Sequence, residues 1–355
     1  MNILVVCKMG PGTLEAKLRP LTKVEAIKKI YVFRPGNYYK AFDKVSYINT
    51  SSMFFSFTFI RMIVTPIYMI YLIKINNIGL IISYHVIPYG IFAYLAGIIT
   101  KVPYNISLTG TLIHKYINDK TLFGKFLIEI LEKALFINVP GVNARNHLIK
   151  NRVDEKKICI LHSSIDTDKF IRREEIVRDY DLIYVGSLEK HKKVELLIQA
   201  AKKVSNQMTI RVLIVGKGIC ELLIKTQIKE LQFDNNIDLL GYRSDVSKLY
   251  NRAKIFVLCS EMEALSVSVM ESMSCGVPVI APNIGDLSMA VQNGQNGILL
   301  NDISVDSYST AIKDLLINKK KCKLFSRNAR EFIIKNHSDQ LSTRKWNSVF
   351  TKFLA

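Results

Sequence analysis

Short apolar runs alternate with helical stretches along the 355 residues of the chain. The runs are continuous in Ile, Val and Leu rather than alternating with polar residues, which is typical of strands buried on both faces. Several runs end in Gly or Ser and lead into a helical stretch, the junction at which parallel α/β folds place their ligands. We therefore predict parallel sheets covered by helices. The runs read NILVVCK, IYVF, GLIISYH, YNISLTG, LFINVPG, DLIYVGS, RVLIVGKG, NIDLLG, KIFVLCS, VPVIAPN and GILLN.

The length of the chain and one polar stretch divide it into two parts. A chain of 355 residues exceeds what one hydrophobic core ordinarily supports. The pattern of strands and helices restarts after residues 165–181, a polar segment that we interpret as the link between two domains. We predict two Rossmann-like domains, residues 1–165 and 166–337, with a cleft between them. An amphipathic last helix over about residues 338–355 is expected to pack back on the first domain.

Positive charge is concentrated in the first half of the chain. The net charge is +19, and the first 170 residues hold 22 Lys and Arg against 10 Asp and Glu. No acidic residue occurs between Asp43 and Asp119. Such a half suits nucleic acid, an acidic substrate or the anionic face of a membrane. Nucleic acid is disfavoured because the sequence has no zinc-finger spacing, no RNP pattern and no long basic run.

The apolar stretch from Met53 to Ile73 has the length of a membrane span. Arg61 and Pro66 interrupt it, and an arginine near the bilayer centre costs roughly 3 kcal/mol on insertion scales. We therefore reject a span and expect buried helices that lead into the strand GLIISYH. A variant of this prediction rests an apolar helix face on the bilayer surface, with Arg61 and Lys74 at headgroup level.

The first residues and the cysteines indicate the compartment. The opening MNILVVCKMG is a strand without the basic region or cleavage site of a signal peptide. Six cysteines are scattered without a C-x-x-C pair. These features predict a cytoplasmic protein with free, mostly buried thiols. We expect no metal site and no cofactor.

Residues 260–286 carry the main candidate chemistry. The strand KIFVLCS leads into a loop with Glu263, and a helix that contains Glu271 is predicted from about Ser266 to Ser274. A glycine and a proline after the helix mark its end. The exposed N–H groups at its start form an anion site suited to a diphosphate. Two glutamates eight residues apart are common, so their spacing alone leaves a structural role open.

This segment resembles the E-x7-E region of the family-4-type retaining glycosyltransferases of bacterial cell-surface polysaccharide synthesis, which have the GT-B fold. Further landmarks stand in family order over nearly the whole chain. The resemblance implies transfer of a hexose-type sugar from a nucleotide-sugar, with a UDP-sugar favoured, to a sugar acceptor, without a metal. The landmarks are NILVVCKMGPG, ISYHVIPYG and ISLTGT in the first half, and VGSLEKHKKVELLIQA, VLIVGKG, NIDLLGYRSDVSKLY and VQNGQNGILL in the second.

The resemblance also implies a role for each matching residue. Glu263 would contact the donor sugar, Glu271 the ribose hydroxyls and Lys192 the departing diphosphate, so Glu263 and Lys192 are the catalytic candidates. The other donor-binding candidates are two glycines of a tight loop in the first domain (Gly10, Gly12) and a set in the second domain (Ser187, Gly216, Tyr242, Arg243, Leu265, Ser266, Val267).

One departure from the family pattern concerns the diphosphate. Ser187 stands where the family often has an arginine. This leaves Lys192, helped by Lys190 or Lys193, as the expected diphosphate cation.

A second departure concerns the acceptor side. Thr109 and Gly110 stand where many members have His-Gly, so the usual histidine is missing. His85 or His114 could replace it, although a lone histidine near a strand end is more often structural. The acceptor-side candidates are therefore His85, Thr109 and Gly110.

Two other motifs are interpreted as structural. Asp166 and Asp168 imitate the metal-binding D-x-D of the other main glycosyltransferase fold, but they stand in a segment that resembles the family's inter-domain region. Gly216 and Gly218 follow a strand without the third glycine of a dinucleotide site.

The charge pattern suggests the acceptor. A basic first domain with an apolar, acid-free stretch over residues 45–118 suits a lipid-linked sugar at the inner membrane face, so we predict an enzyme that is peripheral on that membrane. Two other functions stay open. One is a nucleotide-sugar 2-epimerase of the same fold. The other is a catalytically silent nucleotide-sugar-binding protein. It would suit the departures at Ser187 and Thr109 and a third one, in which Asp286 and Met289 stand where the family frequently has a glycine and an acidic residue.

Overall fold

The computed structural model describes residues 1–35, 42–48, 58–108, 116–117, 120–161 and 163–354. The chain forms two compact units. One consists of Met1–Ser164 together with Asp339–Ala355, and the other of Ile165–Ser338. The sequence places the corresponding boundaries at 165/166 and 337/338.

The first unit is a parallel sheet with helices on both faces. Its strand order is β3-β2-β1-β4-β5-β6-β7. The strands are β1 Asn2–Val6, β2 Lys29–Phe33, β3 Val45–Ile48, β4 Ile78–Tyr84, β5 Tyr104–Ser107, β6 Phe136–Val139 and β7 Ile158–Ile160. Its helices up to residue 150 are α1 Pro11–Thr22, α2 Thr58–Ile75, α3 Ile91–Thr100, α4 Leu122–Lys133 and α5 Val142–Lys150.

Strand β1 explains why the apolar runs are continuous. Its residues Ile3 and Val5 are buried in one core cluster, and Leu4 and Val6 in another. Successive side chains of a strand point to opposite faces, so a strand covered on both sides needs apolar residues at every position.

The second unit repeats the architecture. Its strand order is β10-β9-β8-β11-β12-β13, again parallel throughout. The prediction of parallel, helix-covered sheets is confirmed. The strands are β8 Tyr180–Val185, β9 Val212–Val215, β10 Ile237–Leu239, β11 Ala253–Val257, β12 Val279–Pro282 and β13 Gly297–Leu300. The helices are α6 Val194–Ser205, α7 Glu221–Glu230, α8 Val246–Asn251, α9 Val267–Ser274, α10 Val305–Ile317 and α11 Lys319–His337.

The strand order of each sheet reverses at one point, between β1 and β4 in the first unit and between β8 and β11 in the second. At such a point the connections leave to opposite faces, and a crevice opens beyond the carboxyl ends of the two strands. Each unit therefore has one preferred place for a ligand.

The last helix, α12 (Asp339–Leu354), belongs to the first unit. Its Trp346, Val349 and Phe350 are buried in a core cluster with α1 and the sheet, so the predicted amphipathic helix is confirmed. Asp339 also receives a hydrogen bond from Arg19 Nε at 2.7 Å.

The segment 165–181 is not a free link, and that interpretation is corrected. It belongs to the second unit, where Ile165 and Phe170 are buried in the core. Ser274 Oγ donates to the Phe170 carbonyl at 2.6 Å. The polar residues of this segment therefore surround a few apolar anchors that the sequence pattern did not single out.

Helix α2 covers most of the stretch tested as a membrane span; residues 53–57 lie outside the described ranges. Among the described residues, no helix is both long enough and apolar enough to cross a bilayer. The expectation of a buried helix is only half right. Met69 and Leu72 are buried, whereas Ile63 and Ile67 are exposed.

Candidate functional site

Lys192 and Glu263 meet beyond the carboxyl ends of β8 and β11, the point at which the strand order of the second unit reverses. Lys192 ends a short 3-10 turn before α6, and its Nζ lies 2.5 Å from Glu263 Oε1. Ser260 Oγ donates to the same carboxylate oxygen at 3.1 Å. The two charged side chains are only 18% and 12% exposed. The structure thus brings together the two residues that the sequence predicts to be catalytic.

The loop that carries Glu263 is held by its neighbours. The Glu261 N–H donates to the His191 carbonyl at 2.8 Å, which joins it to the Lys192 loop. On the other side, the Asp286 N–H donates to the Ala264 carbonyl at 3.1 Å. Gly285 has φ +55°, and a Cβ there would lie 1.9 Å from the Glu263 carbonyl oxygen. Only glycine therefore fits at residue 285, a requirement that sequence reasoning missed.

Helix α9 begins at Val267, one residue after its predicted start. Ser266 is its extended N-cap residue, and the Ser266 side chain makes no capping hydrogen bond to the helix start. Ser266 Oγ instead exchanges a hydrogen bond with Ser268 Oγ at 3.1 Å. The backbone N–H groups after Leu265 are therefore available to an anion, as predicted for Leu265, Ser266 and Val267. Binding by these residues remains a prediction.

Glu271 lies in α9 and is partly exposed. The hydroxyl of Tyr250, in α8, donates to Glu271 Oε2 at 3.1 Å. Burial, together with the negative charge of Glu271, raises the pKa of Tyr250 well above its ordinary value, so this hydroxyl stays protonated and remains a donor. Tyr250 was missed because it is 21 residues from Glu271 and belongs to no motif.

Glycines join the carboxyl ends of β8, β9 and β10. Gly216 has φ +155°, and a Cβ there would lie 1.7 Å from the Gly186 carbonyl oxygen. Its N–H donates to the Gly241 carbonyl at 2.9 Å. Ser187 is exposed beside Gly186, and its carbonyl accepts from the Tyr184 hydroxyl at 2.8 Å. Donor binding by Gly216 and Ser187 stays a prediction.

Tyr242 and Arg243 follow β10 on the surface. Tyr242 is 62% exposed. Both Nε and one terminal nitrogen of Arg243 bond the Asp245 carboxylate, at 2.9 and 2.8 Å. The Arg243 side chain is thus engaged within its own loop, and donor binding by Tyr242 and Arg243 stays a prediction.

The acceptor-side candidates belong to the first unit. His85, which follows β4, has φ +79°, and its Nε2 lies 3.3 Å from the Lys8 carbonyl, which follows β1. His85 thus stands where the strand order of this unit reverses. Thr109, Gly110 and His114 lie outside the described residues.

The expected tight turn at Gly10 and Gly12 is not formed. Gly10 is extended, with φ −63° and ψ 159°, and Gly12 lies in the first turn of α1. An added Cβ at either position would meet nothing within 4 Å. Neither glycine is required by the backbone, although the open space leaves room for a ligand.

Asp166 has a local structural role. Its Oδ1 accepts from the N–H groups of Asp168 and Lys169, at 3.2 and 2.9 Å, and so closes a turn. Within the described ranges of the chain, no group of three or more His, Cys, Asp and Glu residues is placed to hold a metal ion.

The two helix-covered parallel sheets show the GT-B fold, and the second of them has Lys192 and Glu263 together at the reversal of its strand order. Residues 166–332, most of the second unit, match the family described as "Glycosyl transferases group 1".

Relatives and solved structures agree with this assignment. The chain is 23% identical over 288 residues to the N-acetyl-alpha-D-glucosaminyl L-malate synthase of Bacillus anthracis, a match covering 78% of this chain and 75% of the relative. It is 24% identical over 246 residues to a 4-alpha-N-acetylgalactosaminyltransferase of Campylobacter jejuni, covering 68% and 67%. The Anabaena protein HepE, solved with UDP-glucose, superposes with a TM-score of 0.83 at 14% identity, covering 99% and 100%.

Proposed function

We propose that this glycosyltransferase moves a hexose-type sugar from a UDP-sugar to a lipid-linked sugar acceptor in cell-surface polysaccharide synthesis, with retention of the anomeric configuration and without a metal. The observation that carries the proposal is the contact between Lys192 and Glu263, which lie 2.5 Å apart beside the start of α9. A lysine and free backbone N–H groups suit a diphosphate, and a carboxylate suits sugar hydroxyls.

The reaction breaks the bond between the anomeric carbon and the diphosphate oxygen. Negative charge develops on the departing UDP, where the Lys192 ammonium and the α9 N–H groups stabilise it. Lys192 has three N–H donors and Glu263 uses one, so the lysine bonds a phosphate oxygen without leaving its partner. These positive groups do the work for which a metal would otherwise be needed.

The acceptor oxygen forms the new bond on the face that UDP leaves. Its proton passes to an oxygen of the departing diphosphate, so the atoms balance without a protein base. This route fits the sequence, in which Thr109 replaces the family's usual histidine. Glu263 holds the hydroxyls of the transferred sugar, and Glu271, oriented by Tyr250, holds the ribose.

The choice of donor and acceptor rests on similarity and charge. HepE was solved with UDP-glucose, and the full name of the Campylobacter relative specifies a diacetylbacillosaminyl-diphospho-undecaprenol acceptor. A diphosphate-linked lipid is anionic, and the first 170 residues of this chain are strongly basic. We therefore place the enzyme on the cytoplasmic side of the membrane, bound peripherally.

A panel of nucleotide-sugars tests the proposal. Binding is measured by calorimetry, and transfer is followed by UDP release with a diphosphate-linked lipid acceptor and by analysis of the linkage formed. We expect tight binding of UDP and one UDP-sugar, and an α-linked product from an α-linked donor. An inverted product, or transfer that depends on an added divalent metal after treatment with a chelator, would contradict the mechanism.

Two outcomes would favour the other functions. Release of UDP with an epimerised free sugar, and no need for an acceptor, would indicate the 2-epimerase. Tight binding of a UDP-sugar with no turnover under any acceptor would indicate a silent binding protein.

A further inference from the structure

The exposed side of α2 carries apolar residues where a surface helix ordinarily carries polar ones. Ile63, Ile67 and Tyr71 follow one another at four-residue spacing, which places them along one side of the helix. They are 54%, 62% and 55% exposed. Met69 and Leu72 are buried against the core, so α2 is apolar on both sides.

Helix α3 has the same character. Its exposed residues Leu95, Ile98 and Ile99 are all apolar, with exposures of 41%, 56% and 63%. Phe92 and Ala96 on its other side are buried. Exposure of every apolar position on one side of a ten-residue helix has no role in folding, because the core is already filled from the other side.

The two helices form one surface. Helices α2 and α3 pack against each other, and α4 also contacts α3. There the rings of Tyr94 and Phe126 are in edge contact, with their centroids 6.5 Å apart. Helix α4 adds the exposed side chains of Leu122 and Phe123. Met62 and Ile75 of α2 are exposed as well. We call six of the exposed apolar residues of the two helices the apolar helix face: Ile63, Ile67, Tyr71, Leu95, Ile98 and Ile99.

The exposed charges at the carboxyl ends of α2 and α3 are both lysines. Lys74 is exposed at the end of α2, Lys101 directly follows α3, and Lys125 lies on α4. Glu129, the exposed acid of α4, is paired with Lys133 at 2.6 Å. The sequence supplies no acid between residues 43 and 119 that would neutralise the first two lysines.

These observations favour one occupant. Two copies of this chain joined through the face by a two-fold axis would bring equivalent lysines towards each other. An anionic bilayer instead accepts apolar side chains at its acyl boundary and lysine ammonium groups among its headgroups. We propose that the apolar helix face docks on an anionic lipid bilayer, with Lys74 and Lys101 at headgroup level. Docking through this face extends the proposed function by naming the surface that binds the membrane. It rests on the proposed function only in that the acceptor is lipid-linked.

Sedimentation of the full chain with vesicles tests the docking. Vesicles of phosphatidylglycerol are compared with vesicles of phosphatidylcholine at low salt. We expect binding at least tenfold tighter to phosphatidylglycerol, and a loss of at least tenfold in the double variant Ile67→Glu, Ile99→Glu. The variant Lys74→Glu, Lys101→Glu should lose affinity for phosphatidylglycerol and the dependence of binding on salt.

A matched control uses exposed apolar residues of the second unit. Val177 and Ile317 are 78% and 61% exposed, and the variant Val177→Glu, Ile317→Glu should bind vesicles as the unaltered chain does. Equal loss in the control and the test variant would overturn the proposal. So would vesicle binding that survives both substitutions in the apolar helix face.

Two further measurements separate the remaining outcomes. Thermal melts and UDP affinity show that the test variant is folded. If light scattering finds a dimer that Ile67→Glu, Ile99→Glu dissociates while vesicle binding is unchanged, the face is a contact between copies and the proposal is wrong. Transfer to a short-chain, water-soluble acceptor should persist in the folded variant; absence of transfer in the unaltered chain would count against the proposed function and not against docking.

Discussion

Lys192 Nζ lies 2.5 Å from Glu263 Oε1, and on the same two loops Lys193 Nζ lies 3.0 Å from Glu261 Oε1. The first pair is largely buried, with 18% and 12% of the two side chains exposed. The second is open to solvent, with 38% and 51% exposed. Both ion pairs join a lysine to a glutamate, and they differ mainly in how deeply they are buried at the candidate site. The exposed outer pair, Lys193 and Glu261, is therefore a control for the buried inner pair, Lys192 and Glu263.

Lys192→Ala should lower kcat/KM for transfer by about 100-fold, the scale that loss of one well-placed transition-state donor gives in other enzymes. Lys193, which the sequence offers as a helper of Lys192, is engaged instead by Glu261 in an exposed pair. Lys193→Ala should therefore change kcat/KM by less than about threefold, because an exposed pair contributes little. Steady-state kinetics with the donor identified by the panel check both values. Equal losses in the two variants would show that Lys192 has no special role at the diphosphate.

The sequence singled out Lys192 and Glu263 as catalytic candidates only through the resemblance, and it did not predict that they form an ion pair. Lys192 and Glu263 are 71 residues apart, and no periodicity connects them. They meet because each follows a strand at the reversal of strand order, a relationship that depends on the topology of the sheet. The resemblance supplied that topology in advance.

Tyr250→Phe should weaken UDP binding by about threefold to tenfold, because Glu271 loses a hydrogen bond of about 1 kcal/mol that orients it. Titration calorimetry with UDP measures the change. The same titration with free diphosphate should show no effect, since the proposed role of Glu271 is at the ribose.

Tyr308→Phe is the matched control. The buried Tyr308 hydroxyl donates to the Leu258 carbonyl at 2.8 Å and is not bonded to Glu271. This variant should lose a similar free energy of unfolding and keep the affinity for UDP. If both variants weakened UDP binding alike, the effect of Tyr250 would be a general loss of stability.

The strands that the sequence missed are β3 and β7. Both are edge strands of the first sheet, so each has only one neighbouring strand. The four residues of β3 are all half-buried, and β7 is only three residues long. An edge strand needs no continuous apolar run, and such a run was the signal used to find strands. The central strands carry it because both of their faces are covered.

The missed glycine has a different cause. Gly285 is required because the Glu263 backbone passes close to it, and Cβ contacts of this kind depend on the folded loops rather than on local sequence. Gly294 also has a positive φ, +76°, but a Cβ there would meet nothing within 4 Å. A substitution at Gly294 therefore causes backbone strain alone, whereas one at Gly285 causes strain and also displaces the loop of Glu263.

Gly285→Ala should abolish most transfer activity, because the added carbon displaces the loop of Glu263, and should lower the free energy of unfolding by more than about 2 kcal/mol. Gly294→Ala should cost only about 1 kcal/mol, the strain of a left-handed alanine, and retain activity. Urea unfolding and transfer assays measure the two effects. Full activity in Gly285→Ala would show that the loop tolerates displacement.

A buried lysine of the first unit should give the stability of the protein a pH dependence. Lys17, on α1, is 9% exposed, and its Nζ lies 5.9 Å from the centre of the Tyr84 ring. Burial lowers the pKa of Lys17 from 10.5 to about 8. The unfolded chain therefore binds more protons than the folded one between about pH 8 and pH 10.5, and the contribution of Lys17 to stability rises with pH in that window. Below it, both states are protonated and the cost of burying the charge is constant.

Lys17→Met removes that cost and should raise the free energy of unfolding at pH 7 by up to about 3 kcal/mol. The advantage should shrink as the pH rises, because above about pH 8 the native lysine is itself neutral in the folded state. Urea unfolding measures the free energy of unfolding of both proteins at pH 7 and pH 9.5. Subtracting the value of the unaltered protein from that of Lys17→Met at each pH removes the contribution of other groups that titrate in this range. A gain from Lys17→Met that is the same at pH 7 and pH 9.5 would mean that the variant stabilises by packing alone, and that the lysine keeps its proton in the folded protein throughout the window.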